Sequence, residues 1–154
     1  MMKTISGYVF RYQKSGMLSD VVAEYKGGPN AKDFAKLLRD IYAATECDIE
    51  AKEFCFCLLL NRQLKPVGYI KVSEGGLTAT LIDVRLIIKA ALDLNADAIV
   101  LAHNHPSGNP KPSRADVEQT KTVKKGCEVF NISFVDHLIL TPEETFSFSE
   151  EDVI

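Results

Sequence analysis

The chain has 154 residues, 46% of them apolar and 25% charged, and a formal net charge of -3. That length suits one domain with a real core, and the charge excludes a bulk polyanion-binding surface and a disordered, highly charged chain. Its four cysteines form no CxxC pair, no apolar run reaches membrane-spanning length, and Met1-Met2-Lys3-Thr4-Ile5 lacks a signal peptide's apolar stretch, so the expectation is a reduced, cytoplasmic protein.

In chain order, residues 4–12 read as a strand and residues 20–25 as a second one. Gly27-Gly28-Pro29-Asn30 is a break, with Asn30 able to cap the following helix. Phe34, Leu37, Leu38 and Ile41 recur at helical intervals and predict an amphipathic helix of about fourteen residues. Glu53 heads Phe54-Cys55-Phe56-Cys57-Leu58-Leu59-Leu60, apolar on both faces and therefore a central strand with buried thiols at Cys55 and Cys57. A turn at residues 61–65 leads into a hairpin partner over residues 67–72.

Val84, Ile87, Ile88, Ala91 and Leu94 mark a second helix ending near Asn95. Ala98-Ile99-Val100-Leu101-Ala102 is a buried strand. A helix follows from Arg114 to about Lys125, with Gly126 expected to break it and Lys121, Lys124 and Lys125 forming a solvated face. Strands over residues 131–140 and 145–148 complete the series. Strands alternating with helices after residue 53 predict an α/β protein, a mixed sheet covered by helices. Residues 1–50 are expected to pack on the same single domain as residues 51–154.

The chemistry concentrates in His103-Asn104-His105-Pro106-Ser107-Gly108-Asn109-Pro110-Lys111-Pro112-Ser113-Arg114-Ala115-Asp116. At a strand end, His103 and His105 project to the same side. The loop between is stiffened by three prolines, and Ser113 offers a helix N-cap three residues before Asp116. Two imidazoles from a strand and a carboxylate from a helix start leave one corner of a tetrahedron open, the arrangement of a catalytic zinc. Ser113-x-x-Asp116 is equally the pattern of an ordinary capped helix, and the two uses are compatible.

His103-x-His105-Pro106-Ser107-Gly108 followed by Pro112-Ser113-x-x-Asp116 resembles the signature of the JAMM (JAB/MPN) metalloprotease family, most closely its RadC-type branch. The resemblance runs from about Glu53 to Phe148. It implies a JAB/MPN architecture of the cytidine-deaminase-like kind over residues 51–154, and one zinc per chain held by His103, His105 and Asp116. It also implies hydrolysis of an amide or isopeptide bond in a peptide, isopeptide or small amide substrate. Glu53 matches the family glutamate and is the candidate proton shuttle, ahead of Glu50 and Glu74. Ser113 matches the serine that steadies the oxyanion.

Ser107 reads as a loop-former, with a contact to substrate or a contact behind the ligands as its alternative. His137, after Asp136, is expected to support a ligand from behind rather than to close the metal's fourth position. Lys111 and Arg114 flank the site and could attract an acidic substrate.

Longer RadC-type proteins carry a helix-hairpin-helix region that residues 1–50 do not match. A DNA-associated role in repair or processing is therefore an alternative that charge does not support. Two-metal nucleases use several carboxylates, and only Asp116 is available here. A non-catalytic metal-binding module is the third reading. A deaminase is excluded because no Pro-Cys-x-x-Cys follows the histidines.

Overall fold

The computed structural model describes residues 2–5, 8–11, 21–75 and 81–154. Strands β1 (Met2–Ile5) and β2 (Tyr8–Arg11) pair antiparallel, with Ile5 opposite Tyr8. The single strand expected over residues 4–12 is thus two antiparallel strands over its described part. The strand expected over residues 20–25 is also absent from its described part, since Val21–Ala23 are helical. Alternation over so few residues does not distinguish the two periods.

The main body is a five-stranded sheet in the order β4-β3-β5-β6-β7, formed by β3 (Phe54–Leu60), β4 (Pro66–Glu74), β5 (Ala98–Asn104), β6 (Ser133–Leu140) and β7 (Thr145–Ser147). Only β5 and β6 run parallel. They are joined by helix α3 (Arg114–Val129), the crossover that a parallel pair requires. Helix α1 (Ala31–Ala44) begins at Asn30, whose side chain accepts the Asp33 N–H. Helix α2 (Val84–Asp93) begins at Asp83, whose carboxylate accepts the Arg85 N–H. The result is the mixed α/β architecture expected.

Both β3 and β5 are buried along their whole length, and each divides its side chains between two cores. On one face Phe54, Phe56, Leu58, Leu60, Ala98, Val100 and Ala102 pack under Phe34, Leu38 and Ile41 of α1. On the other, Cys55, Cys57, Leu59, Ile99 and Leu101 pack under Ile87 and Ala91 of α2 and Val123 and Cys127 of α3. All four cysteines are buried and free. Among the described residues, no helix is long and apolar enough to cross a membrane.

Helix α3 does not stop at Gly126. It continues to Val129, and the chain turns away at Asn131, which adopts the left-handed conformation with φ 54°. A Cβ at Gly126 would stand 2.6 Å from Val84 Cγ1. The glycine therefore permits close approach of α3 to the start of α2, which the one-dimensional reading mistook for a helix stop.

Candidate metal centre

The site stands at the carboxyl end of β5. The antiparallel register sets Cys55 of β3 opposite His103, so His103 and His105 share the sheet face that α3 covers. Glu53 immediately precedes β3, and its charge is among the influences that raise the pKa of His105. Beyond β5 the chain turns sharply: the His105 N–H donates to Leu140 O, and the Gly108 N–H donates to His105 O. Pro106 is the second residue of that turn and Gly108 its fourth, with φ 80°, a placement that suits both. Ser107 lies exposed between them, and its hydroxyl accepts the Asn109 N–H at 3.3 Å, so it shapes the loop.

Helix α3 then brings back the carboxylate. Ser113 and Asp116 form a reciprocal capping box: Ser113 Oγ accepts the Asp116 N–H at 3.1 Å, and the Ser113 N–H donates to Asp116 Oδ2 at 2.7 Å. Cap and candidate ligand coexist as expected, and the Ser113 hydroxyl hydrogen remains free to donate.

Three side chains meet at one point. His103 Nε2 is 2.9 Å from His105 Nε2 and 3.3 Å from Asp116 Oδ1, and His105 Nε2 is 3.4 Å from Asp116 Oδ2. These form a cluster of metal-binding type, with donor atoms all within 4.8 Å of one another. A tetrahedral zinc with bonds of about 2.0–2.2 Å has ligand–ligand edges of roughly 3.3–3.6 Å; the two histidine–carboxylate distances match such edges, through different oxygens of Asp116, and the two imidazole nitrogens stand closer together. His105 Nδ1 lies 2.7 Å from the Asn109 carbonyl, which only accepts, so Nδ1 carries a hydrogen. Nε2 of the neutral ring is then bare and faces inward. The donor set fits a metal ion.

The electrostatics agree. Burial pushes the Asp116 carboxyl up, but hydrogen bonds from His103 and His105 outweigh it and hold the group far below the carboxylate range. Burial also disfavours charge on His105, yet its bonds to Asp116 and to the Asn109 carbonyl raise its pKa. This corner collects positive charge.

Behind His103 lies His137, 1% exposed, with its Nε2 2.7 Å from His103 Nδ1. It lies outside the cluster of His103, His105 and Asp116. Burial, reinforced by His103, holds its pKa well below the usual value. Next to it on β6, Asp136 accepts the Ser147 hydroxyl and the Ser149 and His137 N–H groups, which ties the chain after β7 to the strand behind the site.

Two site residues escaped the sequence reading. Asn104, between the histidines, points to the opposite sheet face, is fully buried and makes four hydrogen bonds. Its Oδ1 accepts the Phe54 N–H and the Tyr42 hydroxyl, and its Nδ2 donates to the Ile49 and Lys52 carbonyls. It therefore fixes the segment that carries Glu53, and its place inside the His-x-His pair was the available signal. Thr120, fully buried, lies one helical turn after Asp116 and contacts His137; helical spacing from Asp116 could have pointed to it.

Of the acids weighed, Glu53 is half-buried, and its carbonyl accepts the Gly75 N–H at 2.8 Å. Glu50 is exposed. Glu74 is bound by Lys71 at 2.7 Å and Lys52 at 2.9 Å, which pull its pKa down to about 2 and leave it a poor base. Lys111 and Arg114 are both exposed beside the site.

Comparison with known proteins places this geometry. The model of the RadC-like JAB domain matches residues 30–153 and so takes in α1, well before the Glu53 start expected from the motif. A UPF0758 protein of Flavobacterium johnsoniae is 38% identical over 106 residues, covering 69% of this chain and 46% of its own length. UPF0758 proteins of Haemophilus ducreyi and Psychrobacter sp. are 40% and 34% identical over 111 and 128 residues, covering 72% and 83% of this chain and 50% and 56% of theirs. The chain spans about half the length of the curated relatives it matches. With its motif at the end of β5 and a family match over most of its length, the chain belongs to the RadC-like JAB domain family.

Proposed function

We propose that this chain is a zinc-dependent hydrolase that cleaves an amide or isopeptide bond of a peptide or small amide substrate, with one zinc per chain. The observation that carries this reading is the convergence of His103, His105 and Asp116, whose donor atoms all lie within 4.8 Å of one another. Three protein ligands leave a coordination position open, which is the mark of a catalytic rather than a structural site. Zinc bound there supplies a Lewis acid and makes water acidic near neutral pH.

The chain's own groups would do the rest. Glu53 takes a proton from the attacking water and returns it to the leaving amine. Support for that role comes from its electrostatic influence on His105 and from the pinning of its segment by Asn104 and Gly75. Ser113, whose oxygen already caps α3, directs its hydroxyl hydrogen at the developing oxyanion; one such donor is worth about 3–4 kcal/mol. Asp116 uses its carboxylate both for the metal and for the Ser113 N–H, so helix start and ligand are held as one unit.

The test is the Glu53→Gln variant, assayed for zinc content and for turnover of a panel of amide and isopeptide substrates. Full zinc occupancy with turnover lower by roughly 10²–10⁴-fold is expected. Unchanged turnover on a substrate that the unaltered protein cleaves would remove Glu53 from the mechanism. No cleavage in any amide class by the zinc-loaded protein would overturn the hydrolase reading.

A further inference from the structure

The contacts behind His103 can carry hydrogen in one direction only. Thr120 Oγ1 lies 2.6 Å from the Asp116 carbonyl oxygen and 2.6 Å from His137 Nδ1. Threonine has one hydroxyl hydrogen, and a carbonyl only accepts. The hydroxyl must therefore donate to Asp116 O, because two oxygens at that distance without a hydrogen between them repel. It then accepts from His137, which places the hydrogen of that ring on Nδ1. Only one hydrogen fits between His137 Nε2 and His103 Nδ1 at 2.7 Å, and a histidine that holds a metal through Nε2 carries its hydrogen on Nδ1, so His137 Nε2 is the acceptor there. His103 Nε2, left for the metal by this arrangement, is the atom that faces Asp116 Oδ1 and His105 Nε2.

We infer that Thr120 is a positioning residue for the metal centre: its hydroxyl, acting through His137, sets the tautomer of His103 so that a lone pair points at the metal. The inference rests on the zinc reading for the hydrogen placement on His103, though not for that on His137. Thr120 and His137 are 0% and 1% exposed, so bulk water does not replace the hydroxyl as the partner of His137. The His137 ring also stacks on Phe148, with centroids 4.6 Å apart and planes at 15°, which keeps its nitrogens in line with both partners. The same hydroxyl bonds the carbonyl of Asp116, another candidate ligand. The relay thus closes a ring that runs from Asp116 through Thr120, His137 and His103 back to the Asp116 carboxylate.

The experiment compares the unaltered protein with Thr120→Val, which keeps the shape and removes the hydroxyl, and Thr120→Ser, which keeps the hydroxyl. Long-range ¹H–¹⁵N correlation spectra of the histidine rings read the tautomers, chelator competition reads zinc affinity, and thermal unfolding confirms that each variant folds. We expect His137 to carry its hydrogen on Nδ1 in the unaltered protein and in Thr120→Ser, and to lose that preference in Thr120→Val. Zinc affinity should fall roughly 10–100-fold in Thr120→Val and stay within about threefold of the original in Thr120→Ser. An Nε2–H tautomer of His137 in the unaltered, metal-free protein overturns the inference without any variant. Unchanged tautomer and affinity in Thr120→Val overturn it as well. If the protein takes up no zinc but the tautomer follows Thr120, the relay stands and the zinc reading falls.

Discussion

The two faces of the sheet use the same two strands for opposite ends. Toward α1, β3 and β5 present Phe56, Leu58, Leu60, Val100 and Ala102, a dry surface of the kind that stabilises a fold. Toward α3 the same strands begin as core with Leu59, Ile99 and Leu101 and finish with His103 and His105. Apolar burial is non-directional and tolerates small shifts, whereas a metal corner depends on a few hydrogen bonds being made in one orientation. The first face should therefore respond to substitution in stability, and the second in affinity and chemistry.

The largest separation should come from Phe56→Ala. Phe56 is fully buried beside Tyr42, with ring centroids 4.8 Å apart. Its truncation should cost about 3–5 kcal/mol of unfolding free energy by denaturant titration. Zinc affinity of the fraction that remains folded should hardly change. A parallel loss of affinity would show that the two faces are not separable in this way.

Asn104 is the polar exception on the dry face, and Asn104→Ala sharpens the contrast. The change leaves the Phe54 N–H and the Ile49 and Lys52 carbonyls without their partner. It should cost about 1–3 kcal/mol. On the hydrolase reading turnover should fall more than zinc affinity does, because Asn104 holds the segment of Glu53 and none of the three metal-facing side chains. Equal losses in both would assign Asn104 to the metal corner itself.

The smallest effect is in pH dependence, where the signs can be worked out. His105 has a raised pKa in the metal-free protein, so its contribution is present below the unfolded value of about 6.5 and is lost as pH rises through the folded pKa. His137 has a lowered pKa, so its contribution is present above about 6.5 and is lost as pH falls. The two oppose each other. Between about pH 8 and 6, unfolding of the metal-free protein should shift little, whereas the zinc-loaded protein should lose stability on acidification because protons compete for its ligands. Identical slopes with and without zinc, measured by denaturant unfolding, would contradict this assignment.

What could be read from the chain before its fold was known follows the same division. His103, His105, Ser113 and Asp116 lie within one strand end, one loop and one helix start, where side-chain alternation and capping rules act locally. Helix α1 and its Asn30 cap were legible for the same reason. Thr120 and Asn104 acquire their roles only when α3, β6 and the start of β3 come together, whereas His137 was singled out beforehand but without its partners. Gly126 misled because its purpose is a tertiary contact with Val84 rather than a helix end. Residues 4–12 misled because short strands alternate alike whether they run on or fold back.

The most direct test of the account is the zinc stoichiometry of the reduced, chelator-stripped protein on titration, set beside Asp116→Ala and His105→Ala. One tightly held zinc per chain, lost in both variants while the fold is kept, is the result expected from three side chains whose donor atoms lie within 4.8 Å of one another. No uptake by the unaltered protein, or uptake that survives loss of Asp116 and of His105, would contradict the assignment of this corner as a metal centre.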